Sequence, residues 1–293
     1  MATTEVVTRL SVKNILFPTD FSGTSRTALA YAAAIARHFE SAVHLVHVVT
    51  PVASVLPFEP FPLDCRTPAE EQLATFLKSD ILRDVAHDGL LKEGNLSNVL
   101  QGLFEEHVFD LIVMGTHGRG GLQKLALGST AEEIIRSAPC PVLAVGPLVS
   151  DSVAAEFSPR KILCATDLLP DSSKALAYSV ALAEESGARL TLVHAVHAFG
   201  EDVACPNALQ WNVKRQLEKV MPKEASLISN PESMIEFGAT AEVILRASAR
   251  AQADLIVMGV KHTDHPWLTS HATWVTIHQV LVQSHCPVLT VRV

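Results

Sequence analysis

Short apolar runs alternate with longer amphipathic segments along the first half of the chain. The runs at residues 15–18, 43–49, 110–115 and 142–145 have the length and composition expected of strands that are buried on both faces of a sheet. Between the first two runs, apolar residues recur at helical spacing, and they are Ala28, Leu29, Ala32, Ile35, Ala36 and Phe39. Strands that alternate with helices predict right-handed crossovers, and therefore a parallel sheet with helices on both faces.

The remainder of the first half is less regular. Prolines crowd residues 50–68, which predicts a long surface loop. We expect a helix over residues 69–86, a weak strand near residues 90–92 and a second helix over residues 97–107.

The second half of the chain repeats the first. Residues 14–49 align without a gap with residues 161–196, and the motif DLIVMG occurs at residues 110–115 and again at 254–259. The sequence CPVLAV near the end of the first half is matched by CPVLTV near the end of the second. Two copies of one α/β unit are therefore predicted.

We assign these two domains to residues 10–148 and 158–293. The elements expected in the second domain are strands near residues 162–165, 190–196, 255–259 and 288–291, and helices near residues 171–186, 207–220 and 240–252.

A glycine-rich loop follows the DLIVMG strand of the first domain. Its glycines are Gly115, Gly118, Gly120, Gly121 and Gly128. Ser129 and Thr130 come next as candidate N-caps of a helix with two glutamates in its first turn. Glycines let several backbone N–H groups converge on one anion, and a helix N-terminus adds its own unpaired N–H groups and positive dipole. Phosphate is the natural ligand, with Arg119 and Lys124 as candidate charges; the alternative is a turn that only joins two elements.

The spacing of this loop resembles the nucleotide-binding signature of the universal stress protein family. Gly115 is followed after two residues by Gly118, and after nine more by Gly128 and Ser129. The flanking DLIVMG and CPVLAV and the amino-terminal ILFPTDFS are also similar to that family, and the second half resembles another copy. The resemblance implies two fused Rossmann-like or flavodoxin-like domains of the adenine nucleotide alpha hydrolase-like fold, each a parallel five-stranded sheet with helices on both faces.

The same resemblance implies that the first domain binds ATP, together with Mg²⁺. The nucleotide-binding residues that it implies are Pro18, Thr19, Asp20, Val48, Met114, Gly115, Thr116, His117, Gly118, Arg119, Gly128, Ser129 and Thr130. By residue type alone, Asp20 is better explained as an N-cap or turn residue, and His117 could equally point to solvent. If the strands before Asp20 and Gly115 are neighbours, both residues face one crevice at the carboxyl ends of the strands.

The resemblance further implies that the domains pair through their last strands, residues 142–145 and 288–291, as an intrachain pseudo-dimer. A further homodimer is left open. The expected function is a stress-response sensor or regulator that binds an adenine nucleotide. Two alternatives remain: a nucleotide-independent structural or chaperone-like stress protein, and a slow ATP hydrolase. No segment resembles a known catalytic motif, so no catalytic residue is predicted.

The second domain departs from the signature. After Gly259, His262 stands where the second glycine is required, and neither Ala272-Thr273 nor Trp274-Val275 supplies the later Gly-Ser pair. Asp167 keeps the position of the first domain's aspartate. We expect weak or absent nucleotide binding in this domain.

Three histidines in this degenerate loop, His262, His265 and His271, raise a zinc or nickel hypothesis. The alternative, a solvated or partly packed loop, is favoured because no nearby cysteine completes a ligand set, although Asp264 could serve as a fourth ligand. His47 and His194 occupy matching positions in the two copies, which favours a structural role for that pair.

Composition narrows the function classes. The net charge of −8 argues against a nucleic-acid-binding surface, which would carry a basic stripe. No run approaches the roughly 18 apolar residues of a membrane span, and the amino terminus lacks the apolar core of a signal peptide. The five cysteines are scattered and contain no CxxC pair, which predicts free thiols. These features predict a soluble cytoplasmic protein with no membrane partner.

Overall fold

The computed structural model describes residues 10–50, 66–117, 127–150, 158–169, 172–196, 211, 215–216, 231–261 and 271–293. The expected surface loop at residues 50–68 and the expected helix at 207–220 lie mostly outside these residues.

Strands and helices alternate in both halves of the chain. The first half contains β1 (Asn14–Pro18), α1 (Gly23–Phe39), β2 (Ala42–Val49), α2 (Arg66–Leu77), a 3₁₀ turn (Asp80–Leu82), β3 (Ala86–Glu93), α3 (Leu96–Glu106), β4 (Leu111–Gly115), α4 (Ser129–Ser137) and β5 (Val142–Val145). The second half contains β6 (Lys161–Ala165), α5 (Ser173–Ser186), β7 (Arg189–Val196), β8 (Glu232–Phe237), α6 (Thr240–Ala251), β9 (Leu255–Val260), α7 (His271–Gln283) and β10 (Val288–Arg292).

Within the described residues, the strands form one sheet in the order β3-β2-β1-β4-β5-β10-β9-β6-β7-β8. Neighbouring strands are parallel within each half. The two halves meet at β5 and β10, which pair antiparallel with Leu143 opposite Leu289. The Thr290 hydroxyl adds a bond of 3.3 Å to the Val142 carbonyl across this junction. The predicted α/β class, a mainly parallel sheet with helices, is confirmed.

The sheet has an apolar layer on each face because consecutive strand residues point to opposite sides. In β1, Ile15 and Phe17 join the layer covered by α1, α2 and α5, whereas Leu16 joins the layer covered by α3, α4, α6 and α7. All three side chains are fully buried. Such two-sided burial explains why the central strands are continuous apolar runs.

The aspartate of the DLIVMG motif has the same structural role in both domains. Asp110 accepts hydrogen bonds from the backbone amides of Lys13 and Asn14, at 2.7 and 2.9 Å. Asp254 accepts the equivalent two bonds, of 2.9 and 3.0 Å, at the start of β6. Each carboxylate therefore ties the start of its domain's first strand to the DLIVMG strand of the same domain.

Several predicted boundaries were wrong. The helix expected over residues 69–86 ends at Leu77, because Ser79 caps a separate 3₁₀ turn and β3 begins at Ala86. The strand expected near 90–92 is longer, and its first three residues are exposed, so it lacks an apolar run. Strand β8 and helix α7 were not predicted; β8 is only half buried, since it lies at the other edge of the sheet.

Candidate functional site

The order of the strands creates a crevice between β1 and β4. The chain leaves β1 toward β2 on one side, and β4 pairs with β1 on the other, with Ile15 opposite Leu111. In open α/β sheets ligands bind at such a switch point, outside the carboxyl ends of the strands. A cavity of about 610 Å³ lies there. Its volume falls within the range of about 300–1,000 Å³ that is usual for small-molecule sites.

The cavity is lined by every predicted nucleotide-binding residue that the structure describes. These residues are Pro18, Thr19, Asp20, Val48, Met114, Gly115, Thr116, His117, Gly128, Ser129 and Thr130. Gly118 and Arg119 lie outside the described residues. Further lining residues that the sequence did not indicate are Ser25, Val46, His47, Thr50, Leu96, Leu100, Leu127, Ala131 and Ile134.

Asp20 is oriented by the turn that joins β1 to α1. Its Oδ1 atom accepts hydrogen bonds from the Ser22 amide at 3.1 Å and from the Ser25 hydroxyl at 2.6 Å. Phe21 has a φ of 63°, a conformation that is rare for a bulky residue. The Thr19 hydroxyl accepts the Phe21 amide at 3.0 Å and so supports this turn. The carboxylate thereby lines the cavity, and its position is compatible both with an N-cap or turn role and with ligand binding.

His47 supports the same turn from the adjacent strand. Its Nδ1 donates to the Thr19 carbonyl at 2.7 Å, and its ring lies 4.4 Å from that of Phe21. The matching His194 donates to the Thr166 carbonyl at 2.8 Å. Both copies therefore use the histidine to fix the main chain after their first strand. In the first domain His47 also lines the cavity.

Gly115 lets β4 approach the first turn of α1 closely. A Cβ atom at this position would lie 3.0 Å from the Ser25 nitrogen and 3.0 Å from the Thr24 carbonyl carbon. The Ser22 hydroxyl also donates to the His117 carbonyl at 3.2 Å. The start of the glycine loop is therefore attached to the turn that carries Asp20.

Gly128 closes the far side of the cavity. It is the N-cap of α4, so the prediction that Ser129 or Thr130 would be the cap was wrong; both belong to the first helical turn. The Gly128 amide donates to the Thr116 carbonyl at 2.9 Å, and a Cβ here would lie 3.3 Å from that oxygen. This close approach positions the N-terminus of α4, with its unpaired amides and positive dipole, at the cavity.

The cavity suits an anion together with an apolar ring. Asp20 is the only Asp, Glu, Lys or Arg among the described lining residues. Hydroxyls of Ser129 and Thr130 and the amides of α4 surround one end, whereas Val46, Val48 and leucines surround the rest. No group of three or more His, Cys, Asp or Glu that could hold a metal ion occurs among the described residues. A divalent cation would thus depend on phosphate oxygens for most of its ligands.

The equivalent position in the second domain has a different chemistry. The Lys261 ammonium lies 3.6 Å from the Asp167 carboxylate. Lys261 and the buried Val260 occupy the places of His117 and Thr116. His262 and His265 lie outside the described residues, as does the side chain of His271, so the metal hypothesis stays a prediction.

The described cysteines are free thiols. Burial raises the pKa of Cys140 to about 12 and that of Cys164 to about 11. Both thiols are therefore protonated at neutral pH and are poor nucleophiles. Cys65 and Cys205 lie outside the described residues. In the part of the chain that the structure describes, none of the helices has the length and apolar character that crossing a membrane requires.

Both halves of the chain resemble known proteins. A sequence model of the universal stress protein family matches the chain twice, over residues 11–146 and 159–292. A universal stress protein of Methanocaldococcus jannaschii is 35% identical over 143 residues, covering 45% of this chain and 81% of that protein. The Na(+)/H(+) antiporter NhaS5 of Synechocystis is 29% identical over 271 residues, covering 88% of this chain and 35% of the antiporter. A universal stress protein structure from Archaeoglobus fulgidus has the same fold, with a TM-score of 0.69, 18% identity and coverage of 97% of this chain and 99% of that one.

Proposed function

The chain belongs to the universal stress protein family, with two such domains in tandem, and from that premise we propose that its first domain binds ATP with Mg²⁺. The protein would act as a stress-response sensor or slow switch whose state depends on the bound nucleotide. The observation that carries the proposal is the cavity between β1 and β4, where Asp20, the start of the glycine loop and the N-terminus of α4 converge.

Each part of the nucleotide has a suitable partner. The Asp20 carboxylate can accept hydrogen bonds from ribose hydroxyls or from the adenine amino group. The backbone at Val48 would meet the adenine, and Pro18 and Thr19 border the same region. The segment from Met114 to His117, continued by Gly118 and Arg119, would surround the ribose and the first phosphates.

The phosphate tail would bind at Gly128, Ser129 and Thr130. Backbone amides at a helix N-terminus and small hydroxyls are the groups that bind phosphate most readily in proteins. Gly128 supports this assignment because a side chain there would meet the Thr116 carbonyl. Mg²⁺, when present, would neutralise part of the charge on the phosphates. The described lining residues include no Lys or Arg that could do so.

The second domain is assigned a structural or regulatory role. Lys261 lies within ion-pair distance of Asp167. This ion pair engages the carboxylate that a nucleoside would need at this position. We also propose that the two domains act as an intrachain pseudo-dimer through the antiparallel pairing of β5 with β10. This pairing covers the last strand of each domain and so removes two exposed edges.

Titration calorimetry with ATP and Mg²⁺ tests the proposal. The wild type is compared with Gly128→Trp, which fills the phosphate end, and with the control Gly102→Trp, where an added Cβ meets nothing within 4 Å. We expect one site per chain, lost in Gly128→Trp and kept in the control. Two sites would refute the degenerate assignment of the second domain. No binding would refute the nucleotide proposal and favour a nucleotide-independent scaffold, and turnover of ATP measured in the same samples would favour a slow hydrolase.

A further inference from the structure

Helix α7 of the second domain contacts the first domain along one of its faces. The contacts come from Trp274, His278 and Leu281, which are spaced as i, i+4 and i+7 and therefore lie in one row on the helix. The residues that they meet belong to the end of the glycine loop, to α4 and to the segment just after β5. Of these three segments, the end of the glycine loop borders the phosphate end of the proposed site, and α4 begins there.

His278 makes the contact of greatest consequence. The backbone amide of Leu127 donates a hydrogen bond to the His278 Nε2 atom at 3.1 Å. Because Nε2 accepts, the ring must be neutral with its proton on Nδ1. Leu127 is 9% exposed, lines the cavity and directly precedes Gly128. The second domain thus supplies a hydrogen-bond acceptor to the main chain of the first domain's candidate site.

Two successive amides at this point are anchored to different domains. The Leu127 amide is bonded to His278, and the next amide, that of Gly128, is bonded to the Thr116 carbonyl at 2.9 Å. The chain then enters α4 at Ser129. The orientation of the first amides of α4 is therefore set by one anchor on each side of the loop end.

Two further contacts join α7 to the first domain, one on each side of His278. The Arg136 guanidinium lies 3.9 Å from the centroid of the Trp274 ring, a distance at which a cation–π contact is favourable. One turn beyond His278, the Leu281 carbonyl comes so close to Gly146 that a Cβ there would lie 2.7 Å from it. The histidine therefore sits between two close contacts of the domains.

The arrangement is not reciprocal. Counting back eight residues from the matching Cys140 and Cys286 reaches Glu132 in α4 and His278 in α7. Glu132 is bonded to Arg136 of its own helix, with its Oε1 atom 3.0 Å from the Arg136 Nε. In the first domain the residue at this position pairs within its own helix, whereas in the second domain it accepts a hydrogen bond from the loop of the other domain.

We propose that His278 is a positioning residue for the nucleotide site of the first domain, an inference that rests on the proposed function. By fixing the Leu127 amide, it keeps Gly128, Ser129 and Thr130 in the arrangement that takes the phosphates. The second domain, which has lost the glycine signature, in this way completes the site of the first. Loss of one such hydrogen bond is expected to weaken binding about 3- to 10-fold.

The test is titration of ATP with Mg²⁺ into the full-length wild type, His278→Ala, His278→Gln and the control Val275→Ala, a change on the same helix at a residue that is 50% exposed. We expect about 3- to 10-fold weaker binding by His278→Ala. The His278→Gln and Val275→Ala variants should bind like the wild type, since the glutamine amide oxygen can accept the Leu127 amide. Hydrogen exchange at the Leu127 amide should rise in His278→Ala and return to the wild-type rate in His278→Gln.

Each unfavourable outcome has a distinct meaning. Equal affinity of the wild type and His278→Ala would overturn this inference and leave the nucleotide site standing. A His278→Gln variant as weak as His278→Ala would also overturn it, because ring packing would then be the cause. Should His278→Ala fail to fold, the His278→Gln affinity and its Leu127 exchange rate decide alone. A wild type that binds no nucleotide would overturn the proposed function and this inference with it.

Discussion

Gly115 and its counterpart Gly259 form a matched pair for a test of close packing at the site. In the first domain, a Cβ at Gly115 would meet backbone atoms of Thr24 and Ser25 at 3.0 Å. In the second domain, a Cβ at Gly259 would first meet a methyl group of Val293, at 3.1 Å. Backbone in the first turn of α1 cannot move aside without moving the helix, whereas the methyl groups of the Val293 side chain can shift by rotation.

The expected effects follow from this difference. Overpacking against a fixed neighbour costs about 1–3 kcal/mol, and replacing glycine with alanine returns about 0.4–1 kcal/mol by restricting the unfolded chain. Gly115→Ala should therefore lower the free energy of unfolding by about 1–2 kcal/mol. Gly259→Ala should change it by less than about 0.5 kcal/mol, because the Val293 methyl groups can shift at small cost.

Urea unfolding of both variants beside the wild type measures this difference. The comparison is internal, since the two substitutions add the same methyl group to matching positions of one chain. The wild-type slope should be kept in both variants, so that midpoints report stability. A Gly259→Ala variant that is destabilised as much as Gly115→Ala, or more, would refute the reasoning that backbone contact at α1 makes Gly115 necessary.

Three further predictions concern other parts of the chain. Asp110→Ala, which removes two bonds to the start of β1, should lower the free energy of unfolding in urea by about 1–2 kcal/mol, with Asp254→Ala as the matched variant. Burial raises the pKa of Cys164 from 9.0 to about 11, so this thiol ionises at lower pH in the unfolded chain than in the folded protein. The free energy of unfolding should therefore fall as pH rises from 9.0 to about 11, and Cys164→Ala should reduce that fall when unfolding is measured across this range. Lys261→Ala removes a half-exposed ion pair with Asp167 and should change stability by less than about 1 kcal/mol, without adding a second ATP site in calorimetry. A flat pH profile above 9.0, an Asp110→Ala variant as stable as the wild type, or a second site in Lys261→Ala would contradict the respective argument.

Burial on two faces explains which strands could be predicted from the sequence. β1, β4 and β9 are central and fully enclosed, so each is an unbroken apolar run that needs no knowledge of its neighbours. β3 and β8 are edge strands, and no residue of either strand is fully buried. An edge strand is stabilised mainly by its pairing with one neighbour, and that pairing leaves no apolar run to find.

The candidate site also contains residues that could be predicted from the sequence and residues that could not. Gly115 and Gly128 could be found from the glycine spacing. At each position a Cβ would come too close to neighbouring backbone, so the need for close approach requires a glycine. The apolar wall, with Leu96 from the start of α3 and Thr50 from the end of β2, became visible only when the sheet order brought those ends together. Leu and Thr have no property that marks them as lining residues in advance.

The contact between His278 and Leu127 could not be predicted from the internal repeat. The two residues are 151 positions apart, and no local pattern connects them. Pairing of the last strands, which the family resemblance implied, brings α4 and α7 together near the junction of the domains. Contact between these helices therefore follows from the repeat. The direction of that contact does not, because it depends on whether position 132 or 278 turns toward the other domain. In the structure Glu132 pairs with Arg136 of its own helix, whereas His278 accepts a hydrogen bond across the junction.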